Sequence, residues 1–256
     1  MNLEEKKKIT LSLIETFNKA SQLALDLRGA GLKKEIKSDN TPVSNGDIEV
    51  NKILTNKIQE ITPNIAIVSE ESANHKMDTN LNTFWLIDPI DGTRDYINNR
   101  DEFTLNAALI LDKKPVIGII TVPAKKRVFY SYGPSHSYEL INNQEISLTN
   151  KEKNYNGYTA VSYSNDLKPK ILEIHEKYKI SSFQKMKSSL KFCVIAASEF
   201  DMYVAEPRAC EWDIAAGHAI LEHSGGKVTD FDYNEILYGK PDFKNPSLIL
   251  KSKNIL

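Results

Sequence analysis

The stretch Trp85-Leu86-Ile87-Asp88-Pro89-Ile90-Asp91-Gly92-Thr93-Arg94-Asp95 constrains this chain more than any other, because it sets two carboxylates and a phosphate-sized anion site within six residues. Phe84 to Ile87 is an apolar run rich in aromatic and branched residues, which predicts a buried strand ending at Asp88. Pro89 fixes its own φ and steers Asp88 away from helix, so the chain turns there. The turn aims the Asp91 carboxylate and the Ile90 carbonyl toward the same point as Asp88. If a helix opens at Gly92-Thr93, its free N–H groups face whatever the acids hold, an arrangement suited to a phosphate oxygen. A solvated turn is the plainer account of Asp-X-X-Asp alone, since Asp-Pro and Asp-Gly are ordinary turn formers. The rest of the chain argues against it.

A second acidic pair, Glu70-Glu71, ends another short apolar run, Ile65 to Ser69. Asp213 lies in Glu211-Trp212-Asp213-Ile214-Ala215-Ala216-Gly217-His218, where small and periodic apolar residues predict a closely packed helix with Asp213 in its first turn. Asp47 follows Thr41-Pro42-Val43-Ser44-Asn45-Gly46 and precedes the amphipathic series Val50, Ile53, Leu54, Ile58, Ile61. Taken singly, Asp213 and Asp47 are favourable charges or caps at helix N-termini.

Together these segments resemble the signature elements of the magnesium-dependent, lithium-sensitive inositol monophosphatase superfamily, in that family's order and over nearly the whole chain. Arg94 to Asn98, Arg100 to Thr104 and Ser188-Ser189-Leu190-Lys191-Phe192-Cys193 look most like its bacterial 3′(2′),5′-bisphosphate nucleotidases. The resemblance implies a mixed α+β fold, the layered αβαβα sandwich of the inositol monophosphatase and fructose-1,6-bisphosphatase type. It implies that Glu70, Asp88, the Ile90 carbonyl, Asp91 and Asp213 ligate metal, roughly two or three Mg²⁺ ions per site. Asp47 and Thr93 match the water-activating pair. Glu70, Asp91, Gly92, Thr93, Ser188, Ser189, Lys191 and Asp213 would meet the substrate, with Glu71 orienting either Glu70 or the water. One departure stands out: where the nucleotidases tend to carry Tyr-Pro-Arg and Gly-Pro-Thr, this chain reads Tyr203-Val204-Ala205-Glu206-Pro207-Arg208-Ala209-Cys210. Arg208 is offered there as the arginine in a shifted position.

Bulk properties agree. Two hundred and fifty-six residues allow one compact protein or two intimately joined subdomains, here divided as 1–145, carrying most of the metal ligands, and 146–256, carrying Asp213 and the substrate-side segment. With 33 Lys and Arg against 34 Asp and Glu, there is no electrostatic reason to expect a nucleic-acid polymer as partner. Cys193 and Cys210 are expected to be reduced core thiols, and His218 and His223 polar or satisfied positions of one helix in place of ligands. At the N-terminus, Ile9, Leu13, Phe17, Ala20, Ala24 and Leu27 follow helical spacing, which predicts a packing helix in place of a targeting segment. No run approaches the ~20 apolar residues of a membrane span, so a soluble, cytoplasmic protein is expected.

The remaining pattern alternates helix and strand, with several strands between Thr104 and Leu140, a polar segment Ile141 to Gly157 that reads equally as a soft boundary or a long hairpin loop, and a strand near Tyr158 to Tyr163. The polar stretch Ser72 to Asn82 is expected to be mobile near the site. The function this implies is Mg²⁺-dependent hydrolysis of the 3′-phosphate of adenosine 3′,5′-bisphosphate, the partner being a small phosphomonoester; a homodimer is compatible with this reading. The alternatives are an inositol monophosphatase or related sugar phosphatase, and a non-catalytic protein on the same fold, which should have lost a ligand.

Overall fold

The computed structural model describes residues 1–37, 41–72, 81–149 and 157–255. The chain opens with helix α1 (Leu3–Ala30), a two-stranded ribbon β1 (Lys34–Ile36) and β2 (Pro42–Ser44), and helix α2 (Asn45–Ile61). Strands β3 (Ala66–Ser69) and β4 (Phe84–Asp91), the short helix α3 (Thr93–Ile97), and β5 (Thr104–Leu111) to β6 (Lys114–Val122), β7 (Arg127–Gly133), β8 (His136–Ile141) and β9 (Gln144–Ser147) follow. The rest is β10 (Tyr158–Ser162), α4 (Pro169–Lys177), β11 (Ile180–Lys185), α5 (Leu190–Ala196), β12 (Met202–Ala205), α6 (Glu211–His223), β13 (Lys227–Thr229) and β14 (Leu248–Lys251).

Two sheets organise these elements. The first runs β3 to β9 in chain order, with β3 parallel to β4 and every later pair antiparallel. The second has the order β11-β10-β12-β14-β13, parallel through β12 and antiparallel beyond it. Strand alternation decides the layers. Trp85 and Ile87 of β4, with Leu105, Ala107 and Leu109 of β5, pack on Leu13, Phe17, Val50, Leu54 and Ile58 of α1 and α2. Their neighbours Phe84, Leu86, Ala108 and Ile110 face the other way, onto α5 and α6. Tyr203, Leu248 and Leu250 of the second sheet close on the same two helices, and Ala160, Met202, Val204 and Ile249 bury its outer face against Ile171 and Ile174 of α4. The result is an αβαβα stack, as the resemblance implied.

Helix α6 occupies the middle layer and is accordingly buried nearly all round, from Trp212 to Leu221 apart from Asp213. Its seat on the first sheet depends on close approach. A Cβ at Gly118 would lie 2.3 Å from the Ala216 carbonyl oxygen, and one at Gly217 would lie 2.3 Å from the Phe192 ring.

Two features differ from expectation. Strand β4 continues through Asp91 instead of ending at Asp88, because Pro89 and Ile90 are taken up as a bulge against β5. Within the polar segment 141–157, Gln144–Ser147 pairs with β8 around an Asn142-Asn143 turn with positive φ at both residues, and 150–156 lie outside the described residues. The stretch 73–80 also lies outside them, so the mobility expected there is not addressed. The N-terminal helix is as expected, with Leu13, Phe17, Ala20 and Ala24 buried. Among the described residues no helix is long and apolar enough to cross a membrane.

Because Gly118 admits α6 against the sheet, Gly118→Ala should lower stability by about 1–3 kcal/mol, the usual cost of overpacking. The midpoint of urea unfolding measures this, and an unchanged midpoint would mean that α6 can shift outward freely.

Candidate active site

In a regular strand Asp88 and Asp91, three residues apart, would point to opposite faces. The bulge corrects this. Asp88 pairs with Asn106 and Asp91 with Thr104, so two residues of β4 sit opposite Leu105 alone and both aspartates share one face. Gly92 then turns the chain at φ +92°, a conformation that L side chains rarely adopt, and a Cβ there would also press on the Glu102 carbonyl at 3.0 Å. Thr93 opens α3 immediately after.

Glu70 extends the parallel pairing of β3 by one residue, donating its N–H to the Ile87 carbonyl at 3.1 Å. Asp213 is the third residue of α6 and accepts from the Cys210 N–H at 2.7 Å, capping the helix. One carboxylate oxygen each from Glu70, Asp88 and Asp213 lie within 4.8 Å of one another. Burial, then the charge of Asp213, pushes Glu70 up to about 8; burial, then Asp91, pushes Asp213 up to about 7. Asp88 is fully buried and rises well above the carboxylate range, for burial first and repulsion from Glu70 next. Its Oδ1 has no hydrogen-bond partner among the described residues. Hard, crowded oxygens with one orphaned in a buried wall fit Mg²⁺ or a similar divalent cation.

Asp91 stands beside this group. Its Oδ2 accepts from the Ser189 N–H at 2.5 Å and hydroxyl at 2.7 Å, and that hydroxyl is also 2.6 Å from the Asp213 carbonyl. Asn106 donates to the same Ser189 oxygen at 3.2 Å. Ser189 thus ties β4, β5 and the start of α6 together.

Asp47 both caps α2 and contacts Thr93. Its Oδ2 accepts from the Ser44 N–H at 2.8 Å and hydroxyl at 2.6 Å, the capping box of α2, while Oδ1 is 3.0 Å from the Thr93 hydroxyl. The same hydroxyl is 3.0 Å from the Ile90 carbonyl, so its single proton chooses between two acceptors. Burial raises the Asp47 carboxyl above its ordinary value, against the pull of the Ser44 and Thr93 hydrogen bonds.

Lys37 escaped the sequence reading. Its ammonium lies 2.7 Å from Glu71 and 3.8 Å from Glu70, and although burial opposes its charge, those carboxylates keep it protonated. Thirty-four residues separate Lys37 from Glu71, and no local pattern marks the pairing.

A cavity of about 100 Å³ opens beside the acids, lined among others by Asp91, Asp213, Ser188, Ser189, Lys191 and Arg208. Lys191 is buried, its ammonium donating to the Ser188 carbonyl and 5.2 Å from the Tyr203 ring; burial lowers it to about 8. Arg208 is exposed, its guanidinium 3.3 Å from the centre of the Tyr163 ring. A hydrogen bond from Arg208, and another from Lys187, bring the Tyr163 hydroxyl below its ordinary range. Of the two α6 histidines, His218 lies 2.9 Å from the Tyr238 hydroxyl and 3.4 Å from Glu222, whereas the buried Nδ1 of His223 has no hydrogen-bond partner among the described residues and burial lowers that ring to about 4. Both cysteines are free thiols, Cys193 buried and Cys210 at the start of α6.

Unfolded carboxyls titrate near ~4. Glu70 and Asp213 titrate higher in the folded chain, so their contribution to stability is full below about pH 4 and is lost as pH rises through 7 to 8. In EDTA the protein should therefore melt at a lower temperature at pH 8 than at pH 5.5, and saturating Mg²⁺ should remove the difference. Thermal scans at both pH values check this; equal melting temperatures in EDTA would mean that burial and mutual repulsion do not raise these acids.

The model of the inositol monophosphatase family matches residues 5–255. The 3′(2′),5′-bisphosphate nucleotidase CysQ of Buchnera aphidicola is 35% identical over 209 residues, 79% of this chain and 76% of that protein. Its counterpart in Aggregatibacter actinomycetemcomitans is 30% identical over 220 residues, covering 84% and 82%. The crystal structure of CysQ from Bacteroides thetaiotaomicron, described as a bacterial member of the inositol monophosphatase family, superposes with a TM-score of 0.76 at 27% identity, covering 98% of this chain and 99% of the other. With its bulged Asp88-Pro-Ile-Asp91 strand, its layered stack and these relatives, the chain belongs to the inositol monophosphatase family.

Proposed function

We propose that this chain is a Mg²⁺-dependent phosphomonoesterase that removes the 3′-phosphate of adenosine 3′,5′-bisphosphate, releasing AMP and phosphate. The observation that carries the reading is the convergence of Glu70, Asp88 and Asp213 near a hydroxyl–carboxylate pair, Thr93 with Asp47. The nucleotide is suggested by the CysQ relatives, which are named for it.

Glu70, Asp88, the Ile90 carbonyl, Asp91 and Asp213 would hold the metal, all but Asp213 coming from the 1–145 part of the chain. When bound, Mg²⁺ would neutralise these acids, gather phosphate oxygens and lower the pKa of a bound water. Asp47 takes the Thr93 proton, which leaves a lone pair on the threonine oxygen to receive a proton from the attacking water. Competition from the Ile90 carbonyl is relieved to the extent that this carbonyl is engaged elsewhere. The N–H groups of Gly92 and Thr93 would receive the phosphate, and Ser188, Ser189 and Lys191 form the side of the pocket on which the nucleoside would lie. Lys37 balances Glu71, leaving Glu70 the freer of the two acids.

Phosphate release from adenosine 3′,5′-bisphosphate, myo-inositol 1-phosphate, fructose 1,6-bisphosphate and 5′-AMP tests the substrate. The expected order places the 3′,5′-bisphosphate first in kcat/KM and leaves 5′-AMP inert; a preference for inositol 1-phosphate would replace the nucleotidase reading with the sugar-phosphatase one. Thr93→Ala or Asp47→Asn should each lower kcat by roughly 10²–10⁴, and the double variant should be hardly worse than either. Additive losses in steady-state assays would separate the two residues.

A further inference from the structure

We infer that Asn106 is a positioning residue for the metal site: its amide holds the Ser189 hydroxyl, which in turn fixes the oxygen that Asp91 offers to a cation. This deepens the phosphatase reading above and rests on its metal.

Strand β5 is apolar from Ala107 to Leu111, and its polar side chains, Thr104 and Asn106, stand opposite Asp91 and Asp88. Asn106 is 1% exposed, and its Oδ1 has no hydrogen-bond partner among the described residues. A buried amide with one end unsatisfied weakens a strand that a valine or leucine would suit better. The fold therefore gains little from this asparagine. What its amide does reach is Ser189, whose Oγ accepts from Nδ2 at 3.2 Å.

That hydroxyl is crowded. Its oxygen lies 2.7 Å from Asp91 Oδ2 and 2.6 Å from the Asp213 carbonyl oxygen, with a single proton to serve both. Ser189 also opens α5, where a serine hydroxyl ordinarily caps the helix, yet it makes no such bond. The side chain is given to the site instead. An Asn106 N–H occupies one Oγ lone pair, which holds the oxygen between its two acceptors and polarises its O–H toward them. Hydrogen counting also sets the amide: with Oδ1 turned to Ser189, one proton would face three acceptors.

The consequence falls on Asp91. Every hydrogen bond that its carboxylate receives among the described residues lands on Oδ2, from the Ser189 N–H at 2.5 Å and the hydroxyl at 2.7 Å. Oδ2 is thereby occupied, and Oδ1 is left as the atom for a cation on the face that Asp91 shares with Asp88. Without the amide, the hydroxyl can turn wholly to the Asp213 carbonyl, and Asp91 keeps one of the two bonds that fix its plane.

Asn106→Leu keeps the branched outline of the side chain and removes the donor; Asn106→Val, shorter and at home in a strand, serves if the leucine variant fails to fold. Calorimetric titration of Mg²⁺ into metal-free protein should show affinity weakened roughly tenfold, within the range for residues that orient a metal ligand. The melting temperature in EDTA should hold or rise, since an unsatisfied amide has been exchanged for an apolar side chain. Ser189→Ala should weaken Mg²⁺ binding at least as much. Adding Asn106→Leu to it should cost nothing further, because the amide acts only through that hydroxyl. Unchanged Mg²⁺ affinity with a lowered melting temperature would make Asn106 a structural residue and overturn the proposal, as would independent losses in the double variant. Wild type that takes up no Mg²⁺ would defeat the metal reading and the proposal together, whereas a variant that binds Mg²⁺ as tightly as a competent wild type defeats the proposal alone.

Discussion

Glu70, Asp88 and Asp213 resist being charged together where the fold places them unless a cation joins them. Their oxygens crowd within 4.8 Å in a largely buried wall, and the free energy of ionising each rises with the charge of the others. Much of the architecture keeps that unfavourable group together. The bulge in β4 turns Asp91 to the side of Asp88, the parallel partner β3 delivers Glu70, and α6 enters from the second half of the chain to add Asp213. Ser189, held by Asn106, fastens Asp91 to the backbone of α6. Stability is given up locally and recovered in the cores on either side of the first sheet, a pattern common at sites that must bind charge.

Capping and chemistry share atoms here. Asp47 begins α2 by accepting from Ser44, and its second oxygen reaches Thr93. Asp213 begins α6 by accepting from Cys210 while facing Asp88. In both cases the helix fixes the rotamer of the carboxylate, so the acid is aimed before any ligand arrives. A helix terminus that stabilises negative charge is also the least costly place to bury an acid.

How much of this was legible in the sequence varied with the range of the interaction. Local pattern was enough for β4, for the caps around Asp47 and Asp213, and for the amphipathic face of α1, because each depends on residues only a few positions apart. The layer order came from family resemblance and could not have come from periodicity, since α6 is apolar on nearly every side and shows no face. The end of β4 was misread for a physical reason: proline was taken to stop the strand, whereas a bulge tolerates it by leaving its position out of the ladder. Lys37 was invisible because a lysine in a polar stretch carries no signal until the fold brings Glu71 to it. The burial of Lys191 was hidden similarly, its partner being a carbonyl that every residue possesses.

The middle layer also bears on how the chain is made. Strands β3 to β9 precede α5 and α6 in the sequence, so on a ribosome the first sheet emerges with α1 and α2 covering one face and Phe84, Leu86, Ile110 and Phe129 bare on the other. The cover comes last, and it is itself double-sided, since α6 needs β12 and β14 before its outer side is shielded. A nascent chain at that stage exposes a broad apolar sheet face for as long as the remaining residues take to be translated. The sandwich that gathers the acids so effectively in the finished protein makes its half-built form a natural client for chaperones.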